Sequence, residues 1–240
     1  MKRTRSRAAP VLVGVIASVV ALQAERALGQ PTPRGDPHPI PLSECTTIDE
    51  PGSYVLTQNL TVAGDCFVVA ADFVTLDLGG WVITGNGTGA GITDSDEGPP
   101  LQGIAVRYGT VTGFALGVSL VHTIAAVVAE VRAFGNGNGI QVTDGSTVSG
   151  STAVSNTQIG IFAECACTIS GNTAMDNGTD GIIADGGSTV SGNTASGNGG
   201  IGILVDCPSN VIGNTATNSS GSANLSLLGT DCNDSDNVAP

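Results

Sequence analysis

From about residue 139 the chain repeats itself every 21 residues. Gly139-Ile140, Gly160-Ile161, Gly181-Ile182 and Gly202-Ile203 open successive copies. Other columns keep the same step: Val148, Ile169, Val190 and Val211; Gly150, Gly171, Gly192 and Gly213; Ala153, Ala174, Ala195 and Ala216; Asn172, Asn193 and Asn214. A strict period of this length marks a solenoid, in which each copy is one coil that buries its apolar face only against its neighbours. Abundant Gly, Ser, Thr and Asn with few charges could suggest disorder. A 40% hydrophobic fraction in strict period argues for a packed core.

The copy from Gly181 to Asn198 shows what one coil looks like. Gly181 to Asp185 reads as a short strand, with Ile182 and Ala184 inward and Ile183 and Asp185 outward. Gly186-Gly187 turns the chain, and Ser188 to Ser191 makes a second strand. Gly192-Asn193 turns it again, Thr194-Ala195 begins a third strand, and Gly197 to Gly200 returns to the start. Strands this short, with Gly/Asn corners and β-branched centres, exclude a helical repeat. Stacked coils give three parallel sheets around a narrow core of Ile, Val and Ala. Asparagine suits a corner because it tolerates left-handed geometry and bonds up and down the stack.

These residues resemble the right-handed parallel β-helix of the pectin-lyase-like superfamily. The Gly-Asn corners at 171–172, 192–193 and 213–214 look like its asparagine ladder between the second and third sheets. The Gly-Ile strand is then the first sheet. The resemblance covers roughly residues 51–230, and the right hand follows from it and from crossover handedness. Earlier coils are less regular. Thr110-Val111-Thr112-Gly113 matches Thr147-Val148-Ser149-Gly150, and Gly117-Val118 matches Gly139-Ile140. Phe73 to Leu76 and Trp81 to Ile83 read as strands, and residues 93–101 as a surface loop.

The start of the chain reads as a secretory signal peptide. Lys2, Arg3, Arg5 and Arg7 precede an apolar stretch from Val11 to Leu22. Ala27-Leu28-Gly29 fits small-x-small cleavage, which places the cut near Gly29. The expected organisation is a signal peptide at 1–29, an extended arm at 30–50, the β-helix at 51–230 and a tail at 231–240. The expected location is secreted or periplasmic, without membrane insertion. Without residues 1–29, three bases (Arg34, Arg107 and Arg132) face twenty acids, a formal net charge of −17. Such a surface repels nucleic acid. Export points to disulfides. Cys45–Cys66, around a hairpin-like stretch, and Cys207–Cys232, about one coil apart, are the expected pairs. Cys165 and Cys207 share a column two coils apart, about 9.6 Å, too far for a bridge. Cys165 and Cys167 are left bridged to each other or free.

Chemistry concentrates on the outer face of the first sheet. Thr143, Glu164, Asp185 and Asp206 fall at one-coil steps, with Asp144 near one end. Stacked acids about 4.8 Å apart repel and point to a counter-charge such as Ca²⁺. The alternative is that they splay into water. Beside them Phe162, Ile183 and Leu204 form an outward apolar strip that suits a binding face or a docked segment of the chain. Polysaccharide lyases and hydrolases of the resembling superfamily work on this face. Asn177-Gly178-Thr179-Asp180 superficially resembles the Asn-Thr-Asp motif of polygalacturonases, but their Gly-His-Gly and Arg-x-Lys partners have no counterpart. Asp180, Asp185, Arg107 and His122 are the catalytic candidates. Arg107 is expected in the acids' own column, three coils or about 14 Å from Glu164, and His122 near it. His38 lies in the Pro-rich arm. The reading is a secreted β-helix with a structural role or one in binding carbohydrate or a cell-surface component. The alternative is a polysaccharide lyase or hydrolase acting on an acidic glycan.

Overall fold

The structure, a computed structural model, describes residues 38–240. Every regular element among them is a β-strand, and every strand pair is parallel. One sheet has nine strands in chain order, one per coil, from Thr46–Ile48 to Leu225–Leu228. The other large sheet has sixteen strands, and a small sheet pairs Leu101–Gln102 with Thr123–Ile124. The expected second and third faces are joined into that one sheet by two long strands, Ala105–Thr112 and Val127–Phe134. The first half of Ala105–Thr112 pairs with Val74–Asp77 and its second half with Val82–Thr84. Val127–Phe134 does the same with Thr147–Ser149 and Thr152–Val154. Both strands turn the corner at left-handed residues, Tyr108 (φ 58) and Glu130 (φ 55). Later coils put Gly150, Gly171, Gly192 and Gly213 there, where glycine adopts positive φ without steric cost.

The core is a set of vertical columns. Ile140, Ile161, Ile182 and Ile203 stack rung on rung in the nine-stranded sheet, all with no exposed surface. Val148, Ile169, Val190 and Val211 do so from the opposite side. Each such side chain contributes about 1.5–3 kcal/mol by leaving water.

Polar ladders hold the corners. The expected column is present and longer. Asn172, Asn193, Asn214 and Asn237 each accept a backbone N–H from the rung before through the side-chain oxygen. Their amides donate to the carbonyls of Val148, Ile169, Val190 and Val211. A second asparagine ladder, Asn136, Asn156, Asn177 and Asn198, repeats this at another corner. Asn136 is buried and starts it. At the third corner Ser146, Cys167, Ser188 and Ser209 form a column. Their side chains donate to carbonyls three residues earlier, and Ser146, Ser188 and Ser209 accept backbone N–H groups. Cys167 is a thiol substituted into a hydroxyl ladder.

Several expectations shift. The solenoid starts before residue 51, because Ile40–Leu42 pairs with Tyr54–Leu56 and Thr46–Ile48 with Phe67–Val69. It also extends past 230, where Asn233–Ser235 pairs with Asn210–Ile212 and Val238 bridges to Thr215. Thr110–Thr112 aligns with Arg132–Phe134 and Thr152–Val154, not with Thr147–Ser149. Thr93 and Asp94 end a strand rather than open a loop. Disulfides join Cys45 to Cys66 (Cα–Cα 4.5 Å) and Cys207 to Cys232 (5.0 Å). The first links neighbouring parallel coils, so no hairpin lies there. Cys165 and Cys167 are free, one exposed and one buried. The expected signal peptide and cleavage near Gly29 lie outside the described residues.

Candidate functional site

The outer face of the nine-stranded sheet carries most of the expected residues. Phe162, Ile183 and Leu204 are direct partners on successive strands, all half-buried. Gln141 precedes them and Ser226 follows, so the apolar strip is three rungs long. Glu164, Asp185 and Asp206 continue their strands at one-coil steps and are also half-buried. Desolvation, and then the neighbouring Asp206, raise the Asp185 carboxyl above its ordinary value. Among the described residues no three His, Cys, Asp or Glu side chains group closely enough to hold a metal ion. The acidic column is therefore stacked but not convergent.

The most unusual group of this sheet lies three coils before Glu164. The strand Ala90–Asp94 alternates inward at Ala90, Ile92 and Asp94, so a carboxylate ends a core column beside Val69. The Asp94 side chain has no exposed surface. One oxygen, Oδ2, accepts the His122 backbone N–H at 2.8 Å and the Thr123 hydroxyl at 2.7 Å. The other, Oδ1, has no hydrogen-bond partner and lies 3.9 Å from His122 Nδ1. A buried carboxylate left half-satisfied is costly, and the imidazole is the group placed to answer it. The His122 side chain is 52% exposed. It borders an open groove of about 540 Å³, also lined by Asp65, Asp96, Glu97 and Ser119. Asp65 is tied to the scaffold, since its carboxylate accepts the Ala90 N–H. Sequence reasoning found His122 but missed Asp94. The available signal was an acid at the inward position of an Ala-x-Ile-x-Asp strand.

The other catalytic candidates separate. Arg107 is not in the acids' column. It sits on the sixteen-stranded sheet, where its ladder partners are Asp77 and Ala129. The coil from Ile92 to Val118 is 26 residues long, so the regular 21-residue column does not carry back through it. Asp180 is a corner residue whose carboxylate accepts the Ile201 N–H of the next coil. Asn177, the first residue of the Asn-Thr-Asp resemblance, is a buried ladder rung. Both have structural work at those positions.

A family model described as periplasmic copper-binding protein (NosD) matches residues 80–226. The chain belongs to the NosD family. The matched stretch runs from the Gly79-Gly80 turn to the last strand of the nine-stranded sheet, and it contains His122, Asp94 and the acidic column. No curated protein matches the chain. Two solved structures share its fold. A double mutant of the periplasmic alginate epimerase AlgG superposes with a TM-score of 0.56 at 15% identity, covering 74% of this chain and 48% of its own. The A-module of mannuronan C-5 epimerase AlgE4 from Azotobacter vinelandii gives 0.53 at 14% identity, covering 78% and 71%. The chain thus spans about half the length of the AlgG structure. At these identities the likeness establishes the fold, a right-handed parallel β-helix.

Proposed function

We propose that this NosD-family protein is an extracytoplasmic β-helix that binds polysaccharide along the outer face of its nine-stranded sheet. The groove that joins buried Asp94 to exposed His122 carries the reading. A solvent-facing imidazole 3.9 Å from a buried carboxylate oxygen, within an open acidic groove, suits sugar hydroxyls. The two alginate epimerases of the same fold support a glycan ligand, and the family description and two disulfides support the location. The Phe162–Leu204 strip extends the face along the axis. The acids at Glu164, Asp185 and Asp206 would gather divalent cations loosely and so help an acidic glycan approach.

The Asp94–His122 pair also favours a second reading, an enzyme acting on an acidic glycan. An imidazole can accept or donate a proton, and a carboxylate can orient it for that task. Copper, named in the family description, does not fit the described residues. They offer no convergent group of three ligands. The soft donors among them are the exposed Cys165 thiol, the Met175 thioether on the other sheet, and Cys167, whose thiol burial pushes up to about 11, away from the thiolate a metal needs.

The test is affinity electrophoresis and product analysis of the exported protein on alginate, pectate and neutral glucans, with and without calcium. Retardation by at least one polysaccharide, weakened about tenfold in His122→Ala, supports binding. New reducing ends or unsaturated products that vanish in His122→Ala would establish the enzyme. No retardation by any of them overturns the proposal.

A further inference from the structure

The corner where the sixteen-stranded sheet bends holds features that its structural role does not require. Four later coils place glycine there with φ of 57 to 65°. Two earlier coils place Tyr108 and Glu130 there instead, in the same left-handed conformation. A side chain beyond glycine is strained in that region, and an outlier of this kind is a pointer to function. Tyr108 is 56% exposed, so burial does not offset the strain. Its ring lies 3.7 Å from where a Cβ on Gly80 would stand. Trp81, 39% exposed, packs on the other residue of the same turn, Gly79. Two exposed aromatic side chains thus border one glycine turn.

Next to them the strands form a groove of about 380 Å³ lined by Asp77, Arg107, Tyr108, Val127, Ala129 and Glu130. Arg107 and Arg132 are the only strong bases in residues 38–240. The Arg107 guanidinium makes no hydrogen bond or ion pair with any described residue. Asp77, its partner across the ladder, instead accepts the Gly79 N–H. Val127 and Ala129 give the groove an apolar floor, and Val127 is exposed. Planar donors and acceptors beside an aromatic face and a small apolar floor match the two sides of a pyranose ring, its hydroxyl rim and its C–H face. One guanidinium against two carboxylates disfavours an anionic sugar. An unpaired guanidinium disfavours a cationic ligand.

We propose that the Trp81–Tyr108–Arg107 corner is a second glycan site, for an uncharged hexose unit, on a different face from the Asp94–His122 groove. It does not depend on that groove's ligand. Arg107 and Glu130 hydrogen-bond vicinal hydroxyls, and Tyr108 stacks on the ring.

Isothermal titration with cellohexaose, and in parallel with hexamannuronate, tests the site. Cellohexaose should bind. Tyr108→Gly should weaken it about tenfold. It should also leave the melting temperature unchanged or up to about 4 °C higher, because the left-handed corner is relieved. Arg107→Gln, on an unstrained strand position, should weaken cellohexaose several-fold without changing stability. Cellohexaose affinity should be the same with and without saturating hexamannuronate, which separates this site from the groove. The proposal is overturned by no cellohexaose binding, by unchanged affinity in both corner variants, or by hexamannuronate binding that the same two variants weaken. A fall in melting temperature that accompanies lost binding in both variants would also overturn it, since the corner would then be merely structural.

Discussion

Asp185 is the middle acid of its column, and its proton is held more tightly in the folded chain than in the unfolded one. A raised carboxyl value means that ionisation opposes folding. The penalty is absent below the ordinary carboxylate range and complete once pH exceeds the raised folded value. Asp185→Asn should therefore raise the melting temperature at pH 7, with a gain that fades as pH falls below about 4. Because the side chain stays partly solvated, the gain should remain below about 1 kcal/mol. Thermal melts at pH 3, 5 and 7 decide this, and a gain that grows on acidification would show the sign to be wrong. The free cysteines give a second check. Cys165 is exposed, while Cys167 is buried with its thiol pushed up to about 11. Iodoacetamide at pH 8 should alkylate Cys165 in the native protein and Cys167 only after unfolding, as read by peptide mass.

The elements that matter most are rungs, and their columns explain what could be read in advance. Asn193 donates to Ile169 O and Asn214 Oδ1 and accepts the Asn172 N–H, all in the buried interior. Asn193→Ala leaves several of these groups unpaired and should cost about 2–4 kcal/mol. Asn193→Asp, isosteric but unable to donate, should be at least as damaging at pH 7. Ile182→Asp, in a fully buried column, should prevent folding of its coil. Urea melts measure all three. These columns were legible because residues 139–218 keep one period. The second asparagine ladder kept the same step at Asn156, Asn177 and Asn198 and could have been found. The groove could not be read this way. It lies where coils lengthen to 25 and 26 residues, at Phe67 to Ile92 and Ile92 to Val118. Extra residues break the fixed step there, so the columns give no register for Arg107, and the turn-rich residues after Asp94 made the end of its strand read as a loop.

At the scale of the whole molecule, stability is a chain of nearest-neighbour contacts, and the ends are where it begins to fail. The two disulfides sit near those ends, closing separations of 21 and 25 residues. Cys207→Ser with Cys232→Ser should cost about 3 kcal/mol. The loss should be local, with hydrogen exchange accelerating beyond residue 207 while the rungs at 140–190 stay protected. Uniform acceleration would mean that the rod unfolds as one unit. The ladders have a further consequence, for the length of the molecule. Between residues 139 and 218 each rung offers the next the same hydrogen-bonding groups in the same places. Cutting out residues 181–201 would set Asn214 on Asn172 and Ser209 on Cys167, with every core column still aligned. Removing twenty residues instead would turn each inward side chain toward water. The rod therefore has a smallest unit of change, and the gap between the Asp94 groove and the far end can be altered only in whole rungs of about 4.8 Å. A polymer laid along its side would meet a ruler whose graduations are set by the protein's own hydrogen bonds.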